Sequence, residues 1–174
     1  MRLRGHGSTR LLRLHPASAD PVLVSCSIER TSVNESPSYL ALSYSWGMNE
    51  DGDASLCRTI CIHGRAKAVT RNLYEALLRI RDRHAGERIW IDAICIDQQS
   101  DEERTAQVRV MGQIFANARQ VLVWLGEGGS ESENWTAVQV LRCFARGKHE
   151  EDRAHGVRDA QGRSLSICML HEED

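Results

Sequence analysis

The chain has 174 residues, 41% of them apolar and 26% charged, and a formal net charge of −2. That size can bury one self-sufficient core, and the near-neutral balance excludes a global field built for nucleic acid or an anionic membrane. Six irregularly spaced cysteines, with no apolar signal segment after the basic N-terminus, read as reduced thiols in a cytoplasmic protein.

Residues 1–9 read as a flexible N-terminus. Arg10–Leu14 and Pro21–Ile28 then read as two short strands joined by a turn, an N-terminal β-hairpin. YLALSYSWG, Tyr39–Gly47, is a strand that ends at glycine. TICIHGRAKAV, Thr59–Val69, is a second hairpin with His63-Gly64 in its turn. Cys57 and Cys61 stand C-x3-C apart with no second ligand pair downstream, so zinc is not expected there. Thr70 caps a helix whose Leu73, Leu77, Ile80 and His84 share one stripe, and Gly86 stops it. RIWIDAICI, Arg88–Ile96, is apolar on both faces, as a central strand covered on each side would be.

The next segment, SDEERTAQVRVMGQIFANA, reads as a helix starting at Ser100. At 100° per residue Val108, Met111, Phe115 and Ala118 share an arc of about 80°, which is assigned to the sheet, with Gln107 and Glu103 flanking it. QVLVWLG, Gln120–Gly126, is another doubly apolar strand. ENWTAVQVLRCFARG, Glu133–Gly147, can form a third helix, and from Lys148 onward the chain is polar and weakly patterned. No apolar run approaches the ~18 residues of a membrane span. Alternating strands and helices with short links predict an α/β fold with a mostly parallel sheet. Its central strands are Tyr39–Tyr44, Ile89–Ala93 and Val121–Trp124.

One feature of the pattern points to function. The apolar run through Ile96 gives way at once to polar residues, and a helix that follows a parallel strand starts at that strand's carboxyl end. Open α/β sheets bind ligands outside this edge. Asp92, Asp97, Gln98 and Glu103 converge there. Ser43, Trp46 and Gly47 approach from the neighbouring strand end, and Gln107 lies at the helix–sheet seam. Structural roles compete for several of these residues. Ser100-x-x-Glu103 is a capping box, Asp101 and Glu102 suit the helix dipole, Asp92 can satisfy loop amides, and Gln107 can be a buried amide.

The P-loop, the dinucleotide-binding glycine motif, the nucleophile elbow and H-E-x-x-H are all absent from the sequence. No aromatic-basic interleaving suggests RNA binding. A phosphoacceptor site at Asp92 lacks its second acid pair and its threonine and lysine partners. What remains is a carboxylate-centred set without metal or cofactor. Such a set can stabilise an oxocarbenium-like transition state, or it can belong to a non-catalytic surface.

Taken together, YLALSYSWG, LYEALLRIR and IWIDAICIDQQSDEERTAQVRVMGQIFANARQVLVWLG resemble, in order and spacing, the heterokaryon-incompatibility (HET) domain of filamentous fungi. The resemblance covers residues 10–126, with RLLRLHP as its lead-in. It implies a module of non-self recognition and regulated cell death that works by self-association or by pairing with a sensor protein. It also implies a distant likeness to Toll/interleukin receptor (TIR) domains and their flavodoxin-like sheet. Some TIR domains cleave NAD with a glutamate on a helix at the carboxyl edge, and Glu103 is the residue that matches by position. On this alternative NAD is a substrate. Residues 127–174 lack the family's R-x-W-F-x-R-x-W-x-x-Q-E character, so the chain reads as a truncated or divergent member with a loosely ordered tail.

Overall fold

The computed structural model describes residues 7–18, 20–32, 38–46, 55–124 and 126, with two further short strands, Val157–Arg158 and Ser164–Ser166. Gly47, the expected third helix and almost all of the expected tail lie outside the described residues. Strand β1 (Ser8–Leu14) and strand β2 (Ser25–Ser32) form the N-terminal hairpin, with Leu14 opposite Cys26 and Ser8 opposite Ser32. Strand β3 follows (Leu40–Tyr44), then the hairpin of β4 (Arg58–Ile62) and β5 (Arg65–Val69). Its two-residue turn places His63 at φ 49° and Gly64 at φ 76°, the doubly left-handed backbone that matches strand twist in tight hairpins.

Helix α1 (Arg71–His84) starts where Thr70 accepts a hydrogen bond from the Leu73 N–H. It buries Leu73, Leu77 and Ile80 of the expected stripe together with Ala76, while His84 is half-buried. Gly86, at φ 82°, turns the chain out of the helix, and its N–H donates to the Leu14 carbonyl at 2.7 Å. Strand β6 (Arg88–Trp90) enters the centre of the sheet. A single helical turn, α2 (Asp92–Cys95), follows, then helix α3 (Asp101–Asn117) and strand β7 (Gln120–Trp124). The two late strands are β8 (Val157–Arg158) and β9 (Ser164–Ser166).

Among the described residues these nine strands make one sheet in the order β5-β4-β2-β1-β6-β3-β7-β9-β8. The expected centre is parallel: β3 pairs with β6 on one side and β7 on the other, Leu40 facing Ile89 and Gln120. The whole sheet, however, is mixed rather than mostly parallel. Both hairpins join it, and β1 is inserted antiparallel between β2 and β6. Four pairings are parallel and four antiparallel. A second correction concerns RIWIDAICI, which is not one strand. It leaves the sheet after Trp90, where the Cys95 N–H donates to the Ile91 carbonyl at 2.7 Å and the Ile96 N–H to that of Asp92 at 3.1 Å. Ile91, Ile94, Cys95 and Ile96 are buried all the same. The continuous apolar run therefore records burial, which a strand and a buried helical turn share.

The third correction is one edge of the α3 face. Met111 and Phe115 pack against the core and Ala118 is buried, as expected, but Val108 is 54% exposed, and the buried positions of the helix are Gln107 and Ile114. The helix is rotated from the arc of greatest hydrophobicity because polar bonds hold it. The Thr9 hydroxyl donates to Gln107 Oε1 at 2.9 Å, and Gln107 Nε2 donates to the Ser8 carbonyl at 2.7 Å. The Trp90 indole donates to the Thr9 hydroxyl at 3.1 Å and packs edge-on to Phe115, the ring centroids 5.4 Å apart. Trp90 is fully buried. Trp90→Ala should lower unfolding free energy by about 3–5 kcal/mol, measured by denaturant titration. A near-native midpoint would mean that the ring is not buried in solution.

Candidate functional site

The carboxyl ends of β3 and β6 open toward α2, the α2–α3 loop and the amino end of β1. Arg10 on β1 is buried here. Its guanidinium grips the Glu103 carboxylate with both terminal nitrogens, Nη2 to Oε2 at 3.1 Å and Nη1 to Oε1, and Nη1 also donates to the Cys95 carbonyl at 2.9 Å. Glu103 Oε1 takes a further hydrogen bond from the Asp97 N–H at 2.7 Å. The capping box is thus only half formed. Ser100 accepts from the Glu103 N–H at 3.3 Å, but the glutamate reaches to Asp97 while the Ser100 N–H donates to the Asp97 carbonyl. One carboxylate fastens β1, the loop and the start of α3 together.

Asp92 is held differently. Its Oδ2 accepts from the Trp46 indole at 2.8 Å and its Oδ1 from the Ala93 N–H at 2.7 Å. Burial raises its pKa above the ordinary 3.8, and these two donors partly offset that rise. Gln98 Nε2 donates to the Asp92 carbonyl at 2.9 Å, which sets the loop against α2. Asp97 Oδ1 accepts from the Gln99 N–H in a tight turn. Ser43 is exposed on β3. Gln107 bonds to β1, as described above.

Beside these groups is a cavity of about 680 Å³, within the size range of small-molecule sites. Trp46, Asp97 and Gln98 line it, and so do Arg10, Tyr44, His63 and Lys67. Much of its wall is apolar, from Ile28, Val69, Leu73, Ile94 and Ile96. Ser43, Asp92, Glu103 and Gln107 are not among its walls. The cavity meets Arg10 rather than the glutamate behind it.

Two residues that organise this edge, Arg10 and Asn72, were not singled out by the sequence reading. From sequence, Arg10 reads only as the first residue of a short strand. Asn72, in the first turn of α1, is buried, donating to the Ser45 carbonyl and accepting from the Trp124 indole, both at 2.7 Å. The usable signal was the setting of Arg10 among the leucines of TRLLRL, since a charge in a doubly covered strand needs a partner. The buried thiols offer no nucleophile: burial pushes Cys26 and Cys95 up to about 12.

The chain matches the family described as heterokaryon incompatibility protein (HET) over residues 39–169. It is also 38% identical over 177 residues to heterokaryon incompatibility protein 6, OR allele, of Neurospora crassa, an alignment that covers 94% of this chain and 25% of the relative. The chain belongs to the HET family. It spans about a quarter of the length of that relative, and no solved structure matches it. The match runs on through residues 127–169, the part of this HET chain where the family's tryptophan-rich block was not found. Among its described residues no helix is long and apolar enough to cross a membrane. Nor does any group of three or more His, Cys, Asp or Glu side chains there offer a metal site.

The ion pair changes what a single replacement does. By the capping-box argument alone, Glu103→Gln would fold normally. With Arg10 buried behind it, the same change strands a cation, and we expect a loss of about 3–5 kcal/mol in a thermal or denaturant melt. Arg10→Met with Glu103→Leu removes both charges and should recover most of that loss. Asp92 gives a separate check. Its folded pKa is raised, so between 3.8 and the folded value the folded state keeps a proton that the unfolded chain has released. The stability this contributes is complete below 3.8 and is lost as pH rises through the folded pKa. The Asp92 carboxyl carbon should titrate above 3.8 by NMR, and higher still in Trp46→Phe, which removes an indole donor that favours the anion. An unmoved titration in Trp46→Phe would show that the indole contact does not form in solution.

Proposed function

We propose that this chain is the HET module of a heterokaryon incompatibility protein. In this reading it acts in fungal non-self recognition and regulated cell death through self-association or binding of a partner. Family membership and the heterokaryon incompatibility name of the Neurospora relative support the biological setting. The observation that favours binding over catalysis is the state of Glu103. Both of its oxygens are engaged by Arg10, one also by the Asp97 N–H, and it does not line the cavity. A carboxylate that stabilises a developing cation must present its charge to the reacting atom. Here that charge faces a guanidinium.

The alternative is TIR-like cleavage of NAD by Glu103. It is favoured by the cavity at the carboxyl edge, which is large enough for a small substrate and bordered by Asp97 and Trp46. The two readings separate on the paired replacement Arg10→Met with Glu103→Leu, introduced into the whole protein. The binding reading expects growth arrest after fusion of incompatible hyphae to persist, because the fold is kept and the carboxylate is dispensable. It also expects purified protein not to consume NAD. Loss of arrest in the folded double variant, with NAD turnover by the wild type, would overturn it in favour of catalysis.

A further inference from the structure

The hairpin β4–β5 forms one end of the sheet, and β5 has no neighbour on its outer side among the described residues. The two-residue turn fixes which backbone groups point outward. Ile62 faces Arg65 across the turn as a hydrogen-bonded pair, so in the alternation of an antiparallel ladder Lys67 and Val69 also bond inward to β4. The N–H and C=O groups of Ala66 and Ala68 therefore point away from the sheet. Their side chains are methyl groups on exposed residues, which leave the approach open.

Charge adds a second observation. Residues 55–70 contain Arg58, Arg65 and Lys67 together with His63, and no acidic residue. All four are exposed. Among the described residues neither Arg65 nor Lys67 has an ion-pair partner. Third, the carboxyl half of β5 borders the cavity. Lys67, Ala68 and Val69 line it with Ile28 and Leu73, and Leu56, 65% exposed, lies at its margin. Among the described residues a free strand edge, positive charge without an ion-pair partner and an adjoining apolar cavity occur together.

We infer that β5 is the docking edge for an extended acidic segment of a protein partner, which adds to the sheet as a further strand. This deepens the binding reading above and rests on it. Main-chain bonds to Ala66 and Ala68 supply the affinity, and acidic side chains on alternate positions lie beside Arg65 and Lys67. Apolar side chains of the same segment reach the cavity. A second copy of this chain is a poor occupant of the edge, because pairing β5 with itself sets Arg65 and Lys67 against like charges. Lysine on an edge strand also discourages unwanted pairing, and an acidic strand is the kind of partner that reverses this effect.

The test uses the purified 174-residue chain and a synthetic peptide of alternating glutamate and valine, blocked at both ends. Its control replaces glutamate by lysine. Isothermal titration should show 1:1 binding of the acidic peptide that weakens as salt is added, and no binding of the control. Ala68→Pro deletes one outward donor without removing a bond to β4, and should cost about tenfold in affinity. Lys67→Glu, an exposed change that leaves the fold intact by circular dichroism, should cost at least as much. Failure of the wild type to bind, equal binding of the lysine peptide, or unchanged affinity in the folded variants would each overturn the inference. So would a wild-type dimer that Ala68→Pro dissociates. Because binding is read on purified chain and incompatibility in hyphae, failure of this inference leaves the functional reading standing. Failure of the functional reading shows instead as lost arrest in the charge-free pair.

Discussion

The ion pair between Arg10 and Glu103 is the constraint on which the carboxyl edge depends. It joins segments 93 positions apart in sequence and lies out of solvent, where neither charge is tolerable alone. Around it the other contacts take their places. Arg10 holds the end of α2 through the Cys95 carbonyl, and Glu103 holds the loop through the Asp97 N–H. One turn down the helix from this clamp, on the same side, Gln107 repeats the arrangement with neutral groups, bonding to Thr9 and Ser8. The helix cannot rotate without breaking all of these bonds. That is why Val108 remains exposed while a glutamine is buried.

The same clamp explains why β1 lies between β2 and β6. A mostly parallel sheet would leave the amino-terminal hairpin as an attachment at the margin. Here β1 is an interior strand, with Leu11 and Leu12 both fully buried, and its amino end supplies the cation that closes the site. Fold and candidate site are therefore not separable in this domain. Removing one charge at the clamp acts first on stability, and a loss of activity in such a variant says little about chemistry unless the neutral pair is compared.

Function then turns on what faces outward. Glu103 is turned to Arg10, and Asp92 to an indole and a backbone amide. Among the described residues the second hairpin has exposed cations, Arg65 and Lys67, without ion-pair partners and a strand edge without a neighbour. An edge of this kind suits recognition better than bond cleavage. It offers affinity through the backbone and selectivity through charge, without requiring the carboxylates to leave their partners.

Several features were legible in the amino acids because they rest on local geometry or on periodicity. The turn at His63-Gly64, the cap at Thr70, the stop at Gly86 and the stripe of α1 all have short-range causes. The three central strands were marked by apolar runs, and the polar segment after Ile96 marked the carboxyl edge. The strand-to-helix switch within RIWIDAICI was not legible, since both conformations bury the same residues. The edge of the α3 face was misread for a different reason: Met111, Phe115 and Ala118 pack as their spacing predicts, but specific hydrogen bonds from Gln107 to β1 rotate Val108 out to solvent. The partner of Glu103 was invisible as well. Arg10 is distant in sequence and ordinary in composition, and only the insertion of β1 beside β6 brings its guanidinium to that carboxylate. The sequence by itself determined the elements and the edge where polar groups gather. The tertiary structure decided which of those groups are neutralised and which remain free, because pairing between distant charges depends on strand order, and no local pattern encodes strand order.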